Sequence, residues 1–298
     1  TGYGHIMLLN IRNVVEPVSR GLLVDAFDPD YPPLSYACDD ARRQGGIVIW
    51  CHNGRGMEAP VAAALGKLDA FNLFDPFWMD PEYDLWYKLL NCGFKLPAST
   101  GTDWFVCSNN RVYVESKEEF SYTNWIAGMK AGRTFITNGP AIELSANGAA
   151  IGDTIDLSGG TKTVEIEAGF RSHYPVERVE LVVNGTVVQG WEWEVGQREG
   201  QLRHQIDVES DGWVAVRLWG RARDSFGHAL YAHSSPIYLH HGNVASERST
   251  AARFFLDSID ESLRWIDSIG RYSNDQQRQN VDELFRRGRE VYAGLVTG

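Results

Sequence analysis

The stretch Gly45-Gly46-Ile47-Val48-Ile49-Trp50-Cys51-His52-Asn53-Gly54 decides the fold that we expect for this chain. A double glycine leads into five apolar residues, a pattern typical of a short strand that is buried on both faces, as parallel strands are. The run ends at His52, and the loop-forming pair Asn53-Gly54 follows it. Open α/β sheets and barrels hold their functional residues at the carboxyl ends of such strands, which makes His52 a candidate site residue. A histidine that only caps the strand is the alternative.

The composition narrows the class of protein. The chain has 298 residues, enough for about two domains, with 43% hydrophobic and 22% charged residues, which is ordinary for a globular protein. Its formal net charge of -11, without any run of Lys or Arg, argues against nucleic acid or an anionic membrane surface as the partner. No apolar run approaches the roughly 20 residues that a transmembrane helix needs.

Residues 1–140 show alternating strand and helix patterns. His5 directly precedes a second apolar run, Ile6–Ile11, and Leu68–Phe74 and Leu96–Thr102 are further candidate strands. Helices are predicted between them, including one over Ser35–Gln44 that ends at a glycine. This alternation predicts a parallel α/β layer over residues 1–140.

The pattern changes after residue 140. Thr163–Ala168 alternates apolar and polar residues, and Asn184-Gly185 is a strong hairpin signal, so we predict an immunoglobulin-like antiparallel β-sandwich over residues 141–241. Residues 242–298 have a helical period and predict a helical hairpin that packs on the other domains. Its apolar stripes are Phe255, Ile259, Leu263, Ile266 and Ile269 in one helix and Val281, Leu284, Phe285, Tyr292 and Leu295 in the other.

Three side chains lie beside predicted parallel strands and are candidate metal ligands: His5, His52 and Asp103. Imidazoles and a carboxylate suit zinc, manganese or iron(II), so we expect these three side chains to converge in one cleft. Arg111 and Arg133 flank the last α/β elements and are candidates for binding an anionic group, with solvated surface arginines as the alternative. For His233 we favour a structural role with hydrogen-bonded ring nitrogens.

Six segments together resemble the PHP (polymerase and histidinol phosphatase) superfamily, and within it the carbaryl-esterase-like CehA/McbA metallohydrolases. Each segment alone is a weak signal, but their order along the chain is specific. They are Gly4–Leu9, Trp50–Gly54, Ala64–Ala70, Trp86–Phe94, Gly101–Asp103 and Lys130–Pro140.

The resemblance implies a divalent-metal-dependent hydrolase of ester, carbamate or phosphoester bonds with a distorted (β/α)7 barrel. By position, His5, His52 and Asp103 match metal ligands of the family, and Arg111 or Arg133 would stabilise the developing oxyanion. The fold that we expect is therefore a partial (β/α)7 PHP-type barrel, followed by the antiparallel β-sandwich and the C-terminal helical hairpin.

The chain also departs from the family pattern. The family's opening H-x-H pair and bridging Glu are missing, Asn53 stands where a proline is usual, and Trp104 and Phe105 break the D-x-H pattern after Asp103. We therefore expect a trimmed or incomplete form that binds its divalent ion (Zn, Mn or Fe) weakly or not at all and has little activity until upstream residues are restored. A second copy of the chain is one candidate to cover the open barrel edge, which would give a homo-oligomer.

The chain begins at Thr1 rather than Met, so we expect residues before it. A signal peptide among them would make the protein secreted or periplasmic, and the compartment stays open. The alternative to the hydrolase is a secreted, non-catalytic binding protein of the same fold. It would bind a glycan through Trp191, Trp193, Trp213 and Trp219 of the sandwich.

Overall fold

A computed structural model describes residues 2–17, 28–52, 56–74, 83–102, 108–116, 118–160 and 162–297. Within this part of the chain, two β-sheets and six helices share the architecture, and most of the sheet residues belong to the larger sheet. The helices are α1 (Leu34–Arg43), α2 (Ala59–Ala64), α3 (Asp84–Asn91), α4 (Tyr122–Lys130), α5 (Ser246–Ser268) and α6 (Asp275–Thr297).

The smaller sheet has four short strands in the order β1-β2-β3-β4. They are β1 (Ile6–Leu9), β2 (Ile47–Trp50), β3 (Ala70–Asn72) and β4 (Ala98–Ser99). Strands β2, β3 and β4 are parallel, but β1 is antiparallel to β2. The amino end of β1 therefore lies at the same edge of the sheet as the carboxyl ends of β2, β3 and β4.

The larger sheet has ten strands and is antiparallel except for one pair. Its strands are β5 (Arg111–Val114), β6 (Thr134–Thr137), β7 (Ala141–Ala146), β8 (Ala149–Ala150), β9 (Thr154–Asp156), β10 (Thr163–Val183), β11 (Thr186–Asp207), β12 (Gly212–Arg223), β13 (Ala229–Ser234) and β14 (Ile237–His240). The sheet curls into a half-barrel around its own apolar core, which includes Ile166, Leu181 and Val216.

Strand β10 explains how one sheet can enclose a core. Its first half pairs with β7 and its second half with β12, while β11 follows it along the other side. The ladder between β10 and β11 is irregular between Arg171 and Arg178, where bulges bend both strands. Strands β10 and β11 therefore continue through the bend as parts of one sheet. In a β-sandwich, a loop at this point would lead into a second, separate sheet.

All the helices except α4 pack on one face of the smaller sheet and also contact part of the larger sheet. Trp50 and Phe71 from the smaller sheet, Trp86 from α3 and Phe255 and Phe285 from the two long C-terminal helices share one apolar core. Helix α4 packs on the opposite face of the smaller sheet in a smaller apolar cluster.

The start of helix α1 is capped by a buried side chain that lies outside the helix. Pro33 precedes the helix without a capping side chain, and the buried carboxylate of Glu58 accepts hydrogen bonds from the backbone N–H groups of Leu34 and Ser35 instead. Burial raises the pKa of Glu58, and these hydrogen bonds oppose that rise. The helix is followed by Gly45, whose φ of 83° favours glycine, as the sequence predicts.

The predicted fold, a partial (β/α)7 PHP-type barrel followed by a separate β-sandwich, is wrong. A (β/α)7 barrel needs successive parallel strands joined by crossover helices, but only β2, β3 and β4 are parallel to one another. Strands β5 and β6, which we assigned to the parallel layer, pair antiparallel with each other. Strand β6 also pairs with β13, so both belong to the curled antiparallel sheet.

No helix in the described part of the chain is both long enough and apolar enough to cross a bilayer.

Candidate functional site

Two histidines meet at one edge of the smaller sheet. His5 lies just before β1 and His52 two positions after the end of β2, and the pairing of Ile6 with Trp50 brings them to the same edge. Nδ1 of His5 lies 2.7 Å from Nε2 of His52, and the ring centroids are 4.9 Å apart. Such a contact requires one nitrogen to carry a proton and the other to offer its lone pair. Imidazole nitrogens are common metal ligands, which makes the pair a candidate for holding a metal ion.

The backbone at His52 is unusual for a histidine. Its φ is 58°, in the left-handed region that residues other than glycine seldom adopt. Such conformations cost free energy and concentrate at functional sites. A hydrogen bond of 3.0 Å from the N–H of Cys51 to the carbonyl oxygen of His5 holds the two chain segments together at this point.

The two histidines line a cleft of about 800 Å³ along this edge of the smaller sheet, which is called the cleft below. Its walls combine apolar side chains from β1, β2, β5 and α4 with polar side chains from the ends of β3 and β4 and from the segment before β5. Its lining residues include His5, His52, Met7, Ile49, Asn72, Ser99, Asn110, Arg111, Val112, Trp125 and Met129.

The candidate residues from the sequence have different positions. His5, His52 and Arg111 line the cleft, whereas Arg133 is not among its lining residues. Nε of Arg133 lies 3.4 Å from the carbonyl oxygen of Glu115, to which it donates a hydrogen bond. The predicted ligand Asp103 lies outside the described residues. Among the residues that are described, no group of three or more His, Cys, Asp or Glu side chains is arranged to hold a metal ion.

A buried histidine–aspartate pair near the cleft escaped the sequence analysis. Nδ1 of His228 lies 3.0 Å from Oδ2 of Asp224, and both side chains are almost fully buried. Burial opposes the charged form of Asp224, but hydrogen bonds from His228 and from two backbone N–H groups outweigh it and lower the pKa of Asp224. The His228 ring also contacts Phe74, a residue of the cleft wall. The spacing Asp-x-x-x-His was the available signal.

His233 has the structural environment that we expected for it. The ring is fully buried, with Nδ1 2.7 Å from the carbonyl oxygen of Ser234 and Nε2 2.6 Å from the hydroxyl of Tyr87. Burial lowers the pKa of His233 to about 3, so the ring is neutral at physiological pH. Nδ1 therefore donates to the carbonyl, and Nε2 accepts from the tyrosine.

The tryptophans proposed for glycan binding do not share one open surface. Trp213 is 1% exposed, and its indole N–H donates to Oδ1 of Asn91. Trp191 and Trp193 are partly buried against the core of the large sheet, which leaves Trp219, at 41% exposed, as the most accessible of the four. A sugar-binding site needs aromatic faces that are open to solvent.

No family model matches the chain, and neither does any curated protein or any solved structure.

Proposed function

We propose that this chain is a divalent-metal-dependent hydrolase of ester, carbamate or phosphoester bonds, with its site in the cleft. The observation that carries the proposal is the 2.7 Å contact between ring nitrogens of His5 and His52 at the mouth of the cleft. The resemblance of six sequence segments to the PHP superfamily supports the same chemistry, and membership of that superfamily is part of the proposal.

The two histidines fit a metal ion. Two nitrogen ligands that each lie about 2.0–2.1 Å from one tetrahedral zinc ion are about 3.3–3.4 Å apart, so these two nitrogens, which lie 2.7 Å apart, would have to separate by about 0.6 Å to share an ion. Neutral imidazole also suits manganese and iron(II), so the donor set by itself does not select the metal. The left-handed backbone at His52 is strain of the kind that persists where a side chain must be held in one direction.

The chemistry divides between the ion and the protein. When bound, a divalent ion would polarise a carbonyl or phosphoryl oxygen as a Lewis acid and would acidify water. Arg111 lies on the cleft wall, where its guanidinium would bind an anionic group of the substrate, while the metal ion would stabilise the negative charge that develops on the reacting oxygen. The apolar side chains of β1 and α4 would exclude bulk water from the substrate and strengthen these electrostatic interactions.

Titration with Zn²⁺ and with Mn²⁺, followed by isothermal calorimetry, tests the proposal. We expect one weak site in the chain as it stands, because the described residues supply two histidines, whereas a catalytic zinc ion is usually held by three protein ligands. The variant His52→Asn keeps a residue type that tolerates the left-handed backbone and should reduce affinity by at least about tenfold, since residues that merely support a ligand contribute that much.

His173→Ala is the matched control, because His173 is exposed on the large sheet and does not line the cleft. It should bind the ions as the unaltered chain does. Hydrolysis of p-nitrophenyl acetate and p-nitrophenyl phosphate, measured with added ion, should depend on His5 and His52 in the same way. Equal binding by the unaltered chain and by a His5→Ala/His52→Asn double variant would contradict the proposal.

A further inference from the structure

Two buried polar atoms on the wall of the cleft have no hydrogen-bond partner among the described residues. They are Oγ of Ser99 and Nδ2 of Asn110, and both residues are 1% exposed. Most buried polar side-chain atoms in folded proteins are hydrogen-bonded, and leaving one unpaired is costly. Two such atoms on the wall of one cleft indicate a surface built to pair with a ligand.

The orientation of Asn110 is set by its neighbours. The hydroxyl of Tyr231 donates to Oδ1 of Asn110 over 3.2 Å, and the backbone N–H of Asn110 donates to Oγ of Ser108 over 3.3 Å. Because Oδ1 is engaged by a buried tyrosine, the amide nitrogen is the group left to bind a ligand. It can only donate hydrogen bonds, so the ligand must offer an acceptor.

Ser99 adds a hydroxyl at the end of β4. In the parallel ladder, Ser99 lies opposite Asn72 of β3, and both residues line the cleft. The Oδ1 atom of Asn72 accepts a hydrogen bond from the backbone N–H of Phe74, which fixes that side chain beside the serine. The polar patch therefore lies on regular strand ends, which hold their side chains more rigidly than loops do.

Arg111 supplies positive charge next to this patch. Its Nη1 donates to the carbonyl oxygens of Ser108 and Asn110, each over 2.7 Å, which ties the guanidinium to the segment that carries Asn110. Within the described part of the chain, no carboxylate pairs with this cation. A fixed guanidinium beside hydrogen-bond donors is the arrangement that recognises carboxylate and phosphate groups.

We propose that Asn110, Ser99 and Arg111 form a subsite that binds an anionic oxygen group of the substrate. This group is either a carboxylate or a phosphate. The adjoining wall is apolar, with Met7, Ile49, Val112, Trp125 and Met129, so the anion would be attached to an apolar body. The subsite rests on the proposed function in assigning the cleft to the substrate. It names the substrate class more narrowly: an ester, carbamate or phosphoester whose apolar part carries an anionic group.

The side-chain amide of Asn110 gives an NMR signal that reports directly on ligand binding. In a ¹⁵N–¹H correlation spectrum, that signal can be assigned by its loss in Asn110→Asp. We expect benzoate or phenyl phosphate to shift it saturably, while neutral benzamide leaves it in place. A response to benzoate alone assigns the subsite to carboxylates, and a response to phenyl phosphate alone assigns it to phosphates. No shift with either anion, or an equal shift with benzamide, overturns the subsite.

Two variants test the contacts without removing the fold. Asn110→Asp keeps an oxygen for Tyr231 but replaces the donor by a negative charge, and Ser99→Ala removes only the unpaired hydroxyl. Each should weaken binding of the responding anion by about tenfold or more, as expected for a hydrogen bond to a charged group. Asn147→Asp makes the same charge change at an exposed turn outside the cleft, where Oδ1 accepts a hydrogen bond from the N–H of Glu165 and an Asp can do the same. It should leave the affinity unaltered, and an equal loss there would overturn the assignment.

Running the titration with chelator and again with Zn²⁺ separates the two proposals. Anion binding that persists in chelator while Zn²⁺ fails to bind supports the subsite and contradicts the metal site. Zn²⁺ binding at His5 and His52 with no anion response at Asn110 supports the metal site and overturns the subsite.

Discussion

Histidines occur in two contrasting regions of this molecule. In the first, which we call the buried network, His233, Tyr87, Arg217 and Glu180 join α3 to the large sheet, and each pairs with the next. The guanidinium of Arg217 donates to Glu180 over 2.6 Å and to the hydroxyl of Tyr87 over 3.3 Å. In the second region, the cleft, two histidines meet each other at an open edge, with unpaired polar atoms close by on the wall.

The two regions differ in how many of their polar atoms have partners within the protein. In the buried network both ring nitrogens of His233 have protein partners, so the ring has no capacity left for a ligand. On the wall of the cleft, Oγ of Ser99 and Nδ2 of Asn110 have no hydrogen-bond partner among the described residues. Unpaired buried polar groups are uncommon in folded proteins, and among those of the described residues Ser99 and Asn110 are the two that line the cleft, so their position favours a ligand-binding role.

Removing Arg217 should have the largest effect on stability and should break the buried network alone. In Arg217→Met, the buried carboxylate of Glu180 keeps Arg178 as an ion-pair partner but loses the hydrogen bond from Arg217, so we expect a loss of about 2–3 kcal/mol in the free energy of unfolding, as for a hydrogen bond between charged groups. Urea denaturation measures it. Arg203→Met is the control, because the Arg203–Glu167 pair lies exposed on the same sheet and should contribute less than about 1 kcal/mol. Equal losses in both variants would contradict the contrast.

The buried network should also make stability depend on pH. Burial lowers the folded-state pKa of His233 to about 3, so the unfolded chain takes up a proton first as the pH falls below about 6.5. The stability that neutral His233 contributes to the folded state is fully present above about pH 6.5 and is lost progressively below it. The contribution of His233 to the free energy of unfolding should therefore drop by about 2 kcal/mol between about pH 6.5 and pH 4.5.

His233→Gln is the variant that isolates this effect. It should be less stable at neutral pH but should show a flatter pH profile in the same window. The carboxylates of Asp211, Asp224 and Asp260, whose pKa values lie below the ordinary range, lose their contributions at lower pH. Buried Glu58, whose pKa is raised, contributes with the opposite sign in both proteins and cancels when the two pH profiles are compared. A variant profile as steep as that of the unaltered chain would show that other groups carry the pH dependence.

Sequence patterns located the elements better than their pairing. The helix expected over Ser35–Gln44 is found at Leu34–Arg43, and the strand expected to end near His52 ends at Trp50, because periodicity and glycine stops are local signals. The direction of β1 and the partners of β5 and β6 depend on contacts between distant residues, which no local pattern records. The bend in β10 depends on bulges, which also leave no clear signal in one sequence.

The candidate site was partly visible in the same way. His5 and His52 could be identified because each adjoins an apolar run, and Arg111 because it begins a strand. Asn110 and Ser99 could not, because an unpaired atom is a property of the folded surroundings: Tyr231, which orients Asn110, lies 121 positions along the chain. His228 and Asp224 are four residues apart, and only burial makes that pair notable.

The smallest expected effect comes from comparing two buried serines at strand β4. Ser235 hydrogen-bonds to this strand, and Ser99 belongs to it. Oγ of Ser235 accepts from the N–H of Ala98 over 2.8 Å and shares a 2.6 Å hydrogen bond with Oγ1 of Thr134, whereas Oγ of the next residue in β4, Ser99, is unpaired. Ser235→Ala leaves buried partners unsatisfied and should lower the free energy of unfolding by about 1–2 kcal/mol. Ser99→Ala leaves no such group and should change it by less than about 0.5 kcal/mol in either direction.

Thermal and urea denaturation of the two alanine variants, measured side by side without any ligand, decide this last comparison. Both serines are buried and both changes remove one hydroxyl, so transfer of apolar surface is matched and the remaining difference reflects hydrogen bonding within the fold. If Ser99→Ala is as destabilising as Ser235→Ala, then the hydroxyl of Ser99 already has a partner in the folded chain, such as a fixed water. The cleft wall would then resemble the buried network, and the reason to expect a ligand at Ser99 would be gone.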